Sequence, residues 1–166
     1  MIQVDKHIDV GEPKIVHNDP IPMLFILTHG YKDDMSLVWN HIYEWCELMG
    51  VLEKKHRFLG LFHNHPSFDP YDKARYVACV ETNENIFSKG KIGKCVISQG
   101  KFAKFEFTCT HKDLYKMMHL AYMNWLPESD YEVRNFPAYV EYKNPDALLK
   151  NEILDVDFYM PIQLIM

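Results

Sequence analysis

Trp39 and Tyr43 stand four residues apart, and Tyr115, Met118, Tyr122 and Trp125 follow one another at spacings of three and four. On a helix such spacings place side chains on one face, so each set makes a stripe of rings. A ring face attracts a positive charge by roughly 0.5–2 kcal/mol, most where water is excluded. Several such rings recognise size and charge more than detailed shape, so the chemistry implied is promiscuous capture of a lipophilic, positively charged small molecule. Packing alone also accounts for a single aromatic stripe. The total tilts the balance: ten Phe, ten Tyr and three Trp make 14% of a 166-residue chain, enough to build a core and line a cavity as well.

Other chemistries lack their residues. There is no G-x-S-x-G, P-loop, H-E-x-x-H or dinucleotide fingerprint. His63 and His65 form an H-x-H pair, but a metal needs a third ligand and the nine histidines are otherwise scattered. No metal and no cofactor are therefore expected. Cys46, Cys79, Cys95 and Cys109 form no C-x-x-C pair, and they are read as reduced thiols in a cytoplasmic protein. A net charge of −5 argues against direct nucleic-acid binding, which needs a basic stripe. The longest apolar stretch, from Ile21 to Thr28, is far short of the roughly 20 residues of a membrane span.

The elements that must position the rings follow from the pattern. Residues 21–28 read as a buried strand, and a helix opens at Lys32-Asp33-Asp34 and stops at Gly50. Residues 57–63 and 74–82 read as strands, with Tyr76 and Ala78 on one face of the second. A hairpin is expected over 92–98 and 101–109 around Gln99-Gly100, then a helix from His111 to Trp125 halted by Pro127. Two further strands lie near 137–143 and 153–160. The acids Asp155 and Asp157, beside Tyr159, read as a solvated face, as does Glu106.

The unit strand–helix–strand–strand thus occurs twice, and an offset of 80 residues aligns Phe25 with Phe105, Trp45 with Trp125, Phe62 with Tyr142 and Asn64 with Asn144. This predicts a single α+β domain over residues 1–166 in which units of about 13–85 and 92–163 are related by a pseudo-two-fold axis. A binding groove is expected where the halves meet.

VWNHIYEWCELMG (38–50), HNHP (63–66), ARYVACV (74–80), ISQGKFAKFEF (97–107), WLPESDY (125–131) and EYKNP (141–145) occur in an order that resembles the gyrase-inhibitor-like family, the AraC-type effector-binding domains. The resemblance implies two β-α-β-β units forming an antiparallel sheet, with two long helices flanking a central cleft. It implies lipophilic, often cationic, ligands, and a stand-alone sensor or sequestering module related to the effector domains of transcription regulators. Relatives carry a glutamate two residues before the tyrosine of the last motif; here that position is Val140, and Glu141 follows it. Strand alternation would turn Glu141 away from the cleft unless a bulge intervenes, with Glu106 and Glu81 as substitutes. The expected ligand-binding residues are Trp39, Tyr43, Phe62, Tyr76, Tyr122, Trp125, Val140, Glu141 and Tyr142. The resemblance also admits a hydrolase of strained small-molecule toxins, a protein-interaction module inhibiting DNA gyrase, and a homodimer.

Overall fold

A computed structural model describes residues 9–28, 35–50, 56–63, 75–82, 90, 92–150 and 152–166. The elements in chain order are β1 (Lys14–Asn18), β2 (Ile21–Leu27), α1 (Ser36–Leu48), β3 (Phe58–Phe62), β4 (Tyr76–Glu81), β5 (Ile92–Ile97) and β6 (Gly100–Cys109). There follow α2 (His111–Leu120), β7 (Tyr131–Val133), β8 (Ala138–Tyr142), α3 (Pro145–Lys150) and β9 (Leu154–Leu164). Trp39, Ile42 and Cys46 bury one side of α1. Gly50, in the left-handed region at φ 71, ends it as expected. The Thr110 hydroxyl caps α2 by accepting from the Asp113 N–H at 3.2 Å. That helix runs on through a wide π turn at Ala121–Trp125 and a tight turn at Leu126–Glu128 containing Pro127. The opening of α1 at Lys32-Asp33-Asp34, the residues 64–66 of HNHP, and Asn64 of the repeat lie outside the described residues.

All strands pair antiparallel in the order β1-β6-β9-β8-β3-β4-β2-β5, with β7 on the end of β9. This order has a symmetry. β3, β4 and β2 mirror β8, β9 and β6 about the central β3–β8 pair, where Gly60 faces Val140. A half-turn about that point exchanges Phe58 with Ala138 and Phe62 with Tyr142, consistent with their pairings. The fold is therefore α+β with two related β-α-β-β units, as expected. The helices pack on one face of the sheet. Their apolar sides join Leu24, Phe62, Tyr76, Phe105, Val140, Tyr142 and Phe158 in the main core. The opposite face carries a second cluster containing Met23, Leu59, Cys79, Phe102, Tyr139 and Tyr159.

Three expectations are corrected. β5 and β6 do not form a hairpin: β5 pairs with β2, while β6 pairs with β1 and β9. The strand preceding each unit crosses to the edge of the other unit, so the Gln-Gly signal marks a crossover. Phe25 and Phe105 are not equivalent, because Phe25 packs on the second cluster and Phe105 in the main core. Cys79 faces Phe25, whereas Tyr159 faces Lys104, so these strands correspond at one residue less than the 80-residue offset. Asp157 is not solvated: it is 7% exposed and ion-paired to Lys143 at 3.2 Å and Lys104 at 3.8 Å.

Gly60 matters at the centre. A Cβ there would sit 2.5 Å from the Tyr76 hydroxyl and 2.6 Å from its ring, so only glycine lets Tyr76 lie across β3. Gly60→Ala is expected to cost about 1–3 kcal/mol, as overpacking does, measured by denaturant unfolding.

The four cysteines are free. Burial pushes the Cys46 thiol up to about 11, and burial with Asp113 nearby pushes Cys109 up to about 12. A hydrogen bond to Cys79 holds Cys95 below its ordinary value, more than offsetting its partial burial. The thiolate is the nucleophile, so alkylation of the native protein near pH 8 followed by peptide mapping should modify Cys95 first and spare Cys46 and Cys109.

Candidate functional site

The central pair β3–β8 carries the rings of both halves to one place. On the helix side, α1 supplies Trp39, β3 supplies Phe58 and Phe62, β4 supplies Tyr76, and β8 supplies Tyr142. Trp39 meets Tyr142 edge-on at 5.3 Å and Phe58 at 6.1 Å; Phe62 meets Tyr76 at 5.1 Å and Tyr115 of α2 at 6.2 Å. Their polar atoms form a chain: Trp39 Nε1 donates to the Tyr76 hydroxyl at 3.2 Å, which shares a 2.7 Å hydrogen bond with the Tyr142 hydroxyl. Trp39, Phe62, Tyr76 and Tyr142 are all buried to 2% exposure or less. Burial pushes the Tyr142 phenol well above its ordinary value, so the chain is neutral. These rings pack against one another on the helix side of the central strand pair.

The cavity lies at one end of the same strand pair. It measures about 790 Å³ and is lined by Tyr43, His56, Arg57, Phe58, Glu141, Tyr142, Lys143, Asn144, Pro145 and Asp146, a size typical of small-molecule sites. Because it opens where the strands end, it meets both faces of the sheet. Tyr43, stacked on Phe58 at 6.3 Å, and Tyr142 wall the helix side. Arg57 and Glu141 wall the other. The β8–α3 turn closes it. Asn144 holds that turn by donating to the Ile153 carbonyl at 3.0 Å and accepting from the Asp155 N–H at 2.8 Å. His56 is fixed by a 2.8 Å bond from Nδ1 to the Glu81 carbonyl.

β8 runs in unbroken register against both β3 and β9, so no bulge intervenes. Val140 points into the main core and Glu141 to the opposite face, as simple alternation requires. Arg57 Nε and Nη2 both donate to Glu141 Oε1, at 3.0 and 2.5 Å, and Nη1 stands 3.6 Å from Glu81 Oε2. Burial draws the Arg57 guanidinium down, but the hydrogen bond and charge of Glu141 outweigh it and raise it. Lys143, between Asp155 at 3.6 Å and Asp157 at 3.2 Å, is likewise raised: burial opposes the shift and Asp157 overrides it. Arg57 and Lys143 therefore each serve two carboxylates, and among the described residues the acids gathered here (Glu81, Glu141, Asp146, Asp155 and Asp157) outnumber the bases (Arg57, Lys104 and Lys143).

Of the nine expected residues, Tyr43, Glu141 and Tyr142 line the cavity. Trp39, Phe62, Tyr76 and Val140 form the packed wall behind it. Tyr122 and Trp125 lie apart in the second half, where Tyr122 meets Phe158 at 6.0 Å and Trp125 meets Phe105 at 5.5 Å and Tyr131 at 6.2 Å. Glu106 is exposed, and Glu81 takes part through Arg57 and through its carbonyl's bond to His56. Sequence reading missed His56, Arg57, Phe58 and the turn 143–146, although the Asn-Pro at 144–145 had marked a turn. Glu141 and Tyr142 project to opposite faces, and the Tyr142 hydroxyl is bonded to that of Tyr76. Among the described residues no group of His, Cys, Asp or Glu is arranged for a metal. His63 is drawn below its ordinary value by burial and then by Arg75, and His65 lies outside the described residues. Among the described residues no helix is long and apolar enough to cross a membrane.

An α+β duplication with a cavity at its join defines a class of small-molecule binders, and the comparisons agree. Residues 11–163 match the model of the GyrI-like small molecule binding domain, and the chain belongs to that family. The structure resembles EcmrR in its complex with DNA (TM-score 0.74, 12% identity), covering 96% of this chain and 60% of that one. It also resembles the EcmrR C-terminal domain (TM-score 0.72, 12% identity; 93% and 98% covered). A third likeness is SAV2435 bound to tetraphenylphosphonium (TM-score 0.56, 15% identity; 92% and 94% covered). The chain thus spans less than two thirds of the first of these. No curated protein matches the sequence.

The hydroxyl chain makes a testable claim. Tyr142→Phe removes one bond and should cost about 1 kcal/mol; Tyr76→Phe removes the partner of both Trp39 and Tyr142 and should cost more, about 2 kcal/mol. Equilibrium unfolding of the two variants orders them.

Proposed function

We propose that the protein binds lipophilic, singly charged organic cations in the cavity at the end of the β3–β8 pair, as a sensing or sequestering module. The observation that carries this reading is the join of two unlike walls at one opening. The half-buried Tyr43 offers ring surface, backed by the largely buried Phe58 and Tyr142, and Glu141 offers a carboxylate on a rim where, among the described residues, acids outnumber bases. A cation seated there gains from ring faces and from the negative rim, while its apolar body leaves water. Volume suits a drug-sized guest. Membership of a small-molecule-binding family supports the class, and the ligand held by one fold relative supports the chemistry. A link to transcription, as for the regulator relative, would require a partner or a further domain that reads the occupied state, and the negative net charge suits a protein partner better than DNA.

Tetraphenylphosphonium should bind in the micromolar range, read by tyrosine and tryptophan fluorescence or calorimetry. Tyr43→Ala should weaken it roughly two- to thirtyfold, the worth of one ring face to a cation. Glu141→Gln should weaken the cation while leaving neutral triphenylphosphine oxide unchanged. Absence of binding to the unmodified protein at 100 μM, or indifference to Tyr43→Ala, overturns the reading.

A further inference from the structure

We infer that Arg57 is an internal stand-in for the ligand's positive charge, with Glu81 as the acceptor that receives it when a ligand arrives. This rests on the binding reading above and concerns the same cavity. Arg57 Nε and Nη2 both donate to a single oxygen, Glu141 Oε1, at 3.0 and 2.5 Å. The pair is therefore end-on and not the two-oxygen fork that Arg–carboxylate pairs often adopt. Among the described residues no donor meets Glu141 Oε2. On its other side Arg57 Nη1 already stands 3.6 Å from Glu81 Oε2, so the guanidinium lies between two carboxylates. The three side chains are partly exposed, 35% for Arg57, 22% for Glu141 and 25% for Glu81. Ion pairs at such exposure are individually weak and exchangeable. The other base of the rim, Lys143, is held by Asp155 and Asp157 and does not compete.

The charges decide what fits. Arg57 with Glu81 and Glu141 leaves one unbalanced negative charge. A monocation at Glu141 completes the balance, leaving two positive and two negative charges and releasing Arg57 to Glu81. A neutral guest gains nothing from the exchange, and a dication overshoots it. Arg57 thus sets selectivity by competing with the ligand for Glu141, and Glu81 offsets that competition by giving Arg57 a second partner. The Arg57 backbone is anchored to the sheet at this place, since its carbonyl accepts from the Glu81 N–H at 2.9 Å. Exchange then needs only side-chain rotation.

The test is calorimetric titration of the whole chain with tetraphenylphosphonium and with triphenylphosphine oxide. Arg57→Gln should bind the cation about five- to tenfold tighter, a typical size for coupling between groups, and the oxide no more tightly. Glu81→Gln should bind the cation several-fold more weakly, and that loss should vanish in the double variant, because Glu81 acts through Arg57. If Arg57→Gln does not fold, Arg57→Lys, with its single point charge, should show a smaller gain of the same sign, and Glu81→Gln remains readable alone. Unchanged or weaker cation binding in the Arg57 variants, or a Glu81→Gln loss that persists in the double variant, overturns the inference while Tyr43-dependent binding keeps the cavity reading. Failure of the unmodified protein to bind either compound overturns both.

Discussion

The pairing of β3 with β8 is the contact on which everything else depends. It joins the two β-α-β-β units through five residues of each strand, and no other strand pair links the three-strand sets β2-β4-β3 and β6-β9-β8 directly. Its register decides which side chains of each half face the helices. A slip of one residue would turn Phe58, Phe62, Val140 and Tyr142 out of the core and send Leu59, Leu61, Tyr139 and Glu141 into it. Burial on both faces forbids that slip: Leu59 and Tyr139 are as deeply buried on one side as Val140 is on the other. The crossing of β1 and β5 to opposite edges ties each unit to the other a second time, so the halves close into one body.

The two halves share the order of their main strands and differ in chemistry. At the axis, Gly60 faces Val140. Tyr76, beside Phe62, corresponds to Val156, beside Tyr142. A bulky ring over a glycine in one half is thus answered by two valines in the other. This asymmetry explains how the rings pack at the centre. Tyr76 crosses Gly60, meets Tyr142 from the other half, and ties Trp39 to both, leaving a neutral hydroxyl chain at the centre. Glu141 follows Val140 in regular register and therefore projects from the other face. Buried among rings, an unpaired carboxylate would be costly; at the strand end Glu141 keeps water access and an arginine partner.

Much of this was legible in the sequence, and the failures have physical causes. Helical spacing placed Trp39 and Tyr43 on one face, and strand alternation placed Tyr76 with Ala78 and Val140 apart from Glu141. Repeat spacing located the axis, because Phe62 and Tyr142 do correspond. Alternation fails to say which strands are neighbours: Gln99-Gly100 looks like a hairpin turn locally, and only the long-range exchange of edge strands decides otherwise. It also fails to say that both faces are covered, so Asp157 read as solvated although two lysines and its neighbours bury it. The three residues β7 and six-residue α3 carry too short a period to register. The cavity was missed in part for the same reason. His56 and Arg57 sit just before β3, where pattern says little, and their role comes from strands far away in the chain.

The location of the cavity follows from these constraints. A duplicated sheet has its densest ring population at the axis, but there the rings satisfy one another, and opening that centre would expose four large side chains and break the hydroxyl chain. At the strand ends the same rings present only their edges: Tyr142 and Phe58 still belong to the core, while Tyr43 has one face free of it. A guest at this end can use aromatic surface without unpacking the centre. The charges cannot enter the core, so they collect at the same end on the opposite face, with Arg57 and Lys143 each shared between two acids. Apolar wall and negative rim therefore meet where the sheet stops, and that meeting makes the site sensitive both to how greasy a guest is and to the single charge it carries.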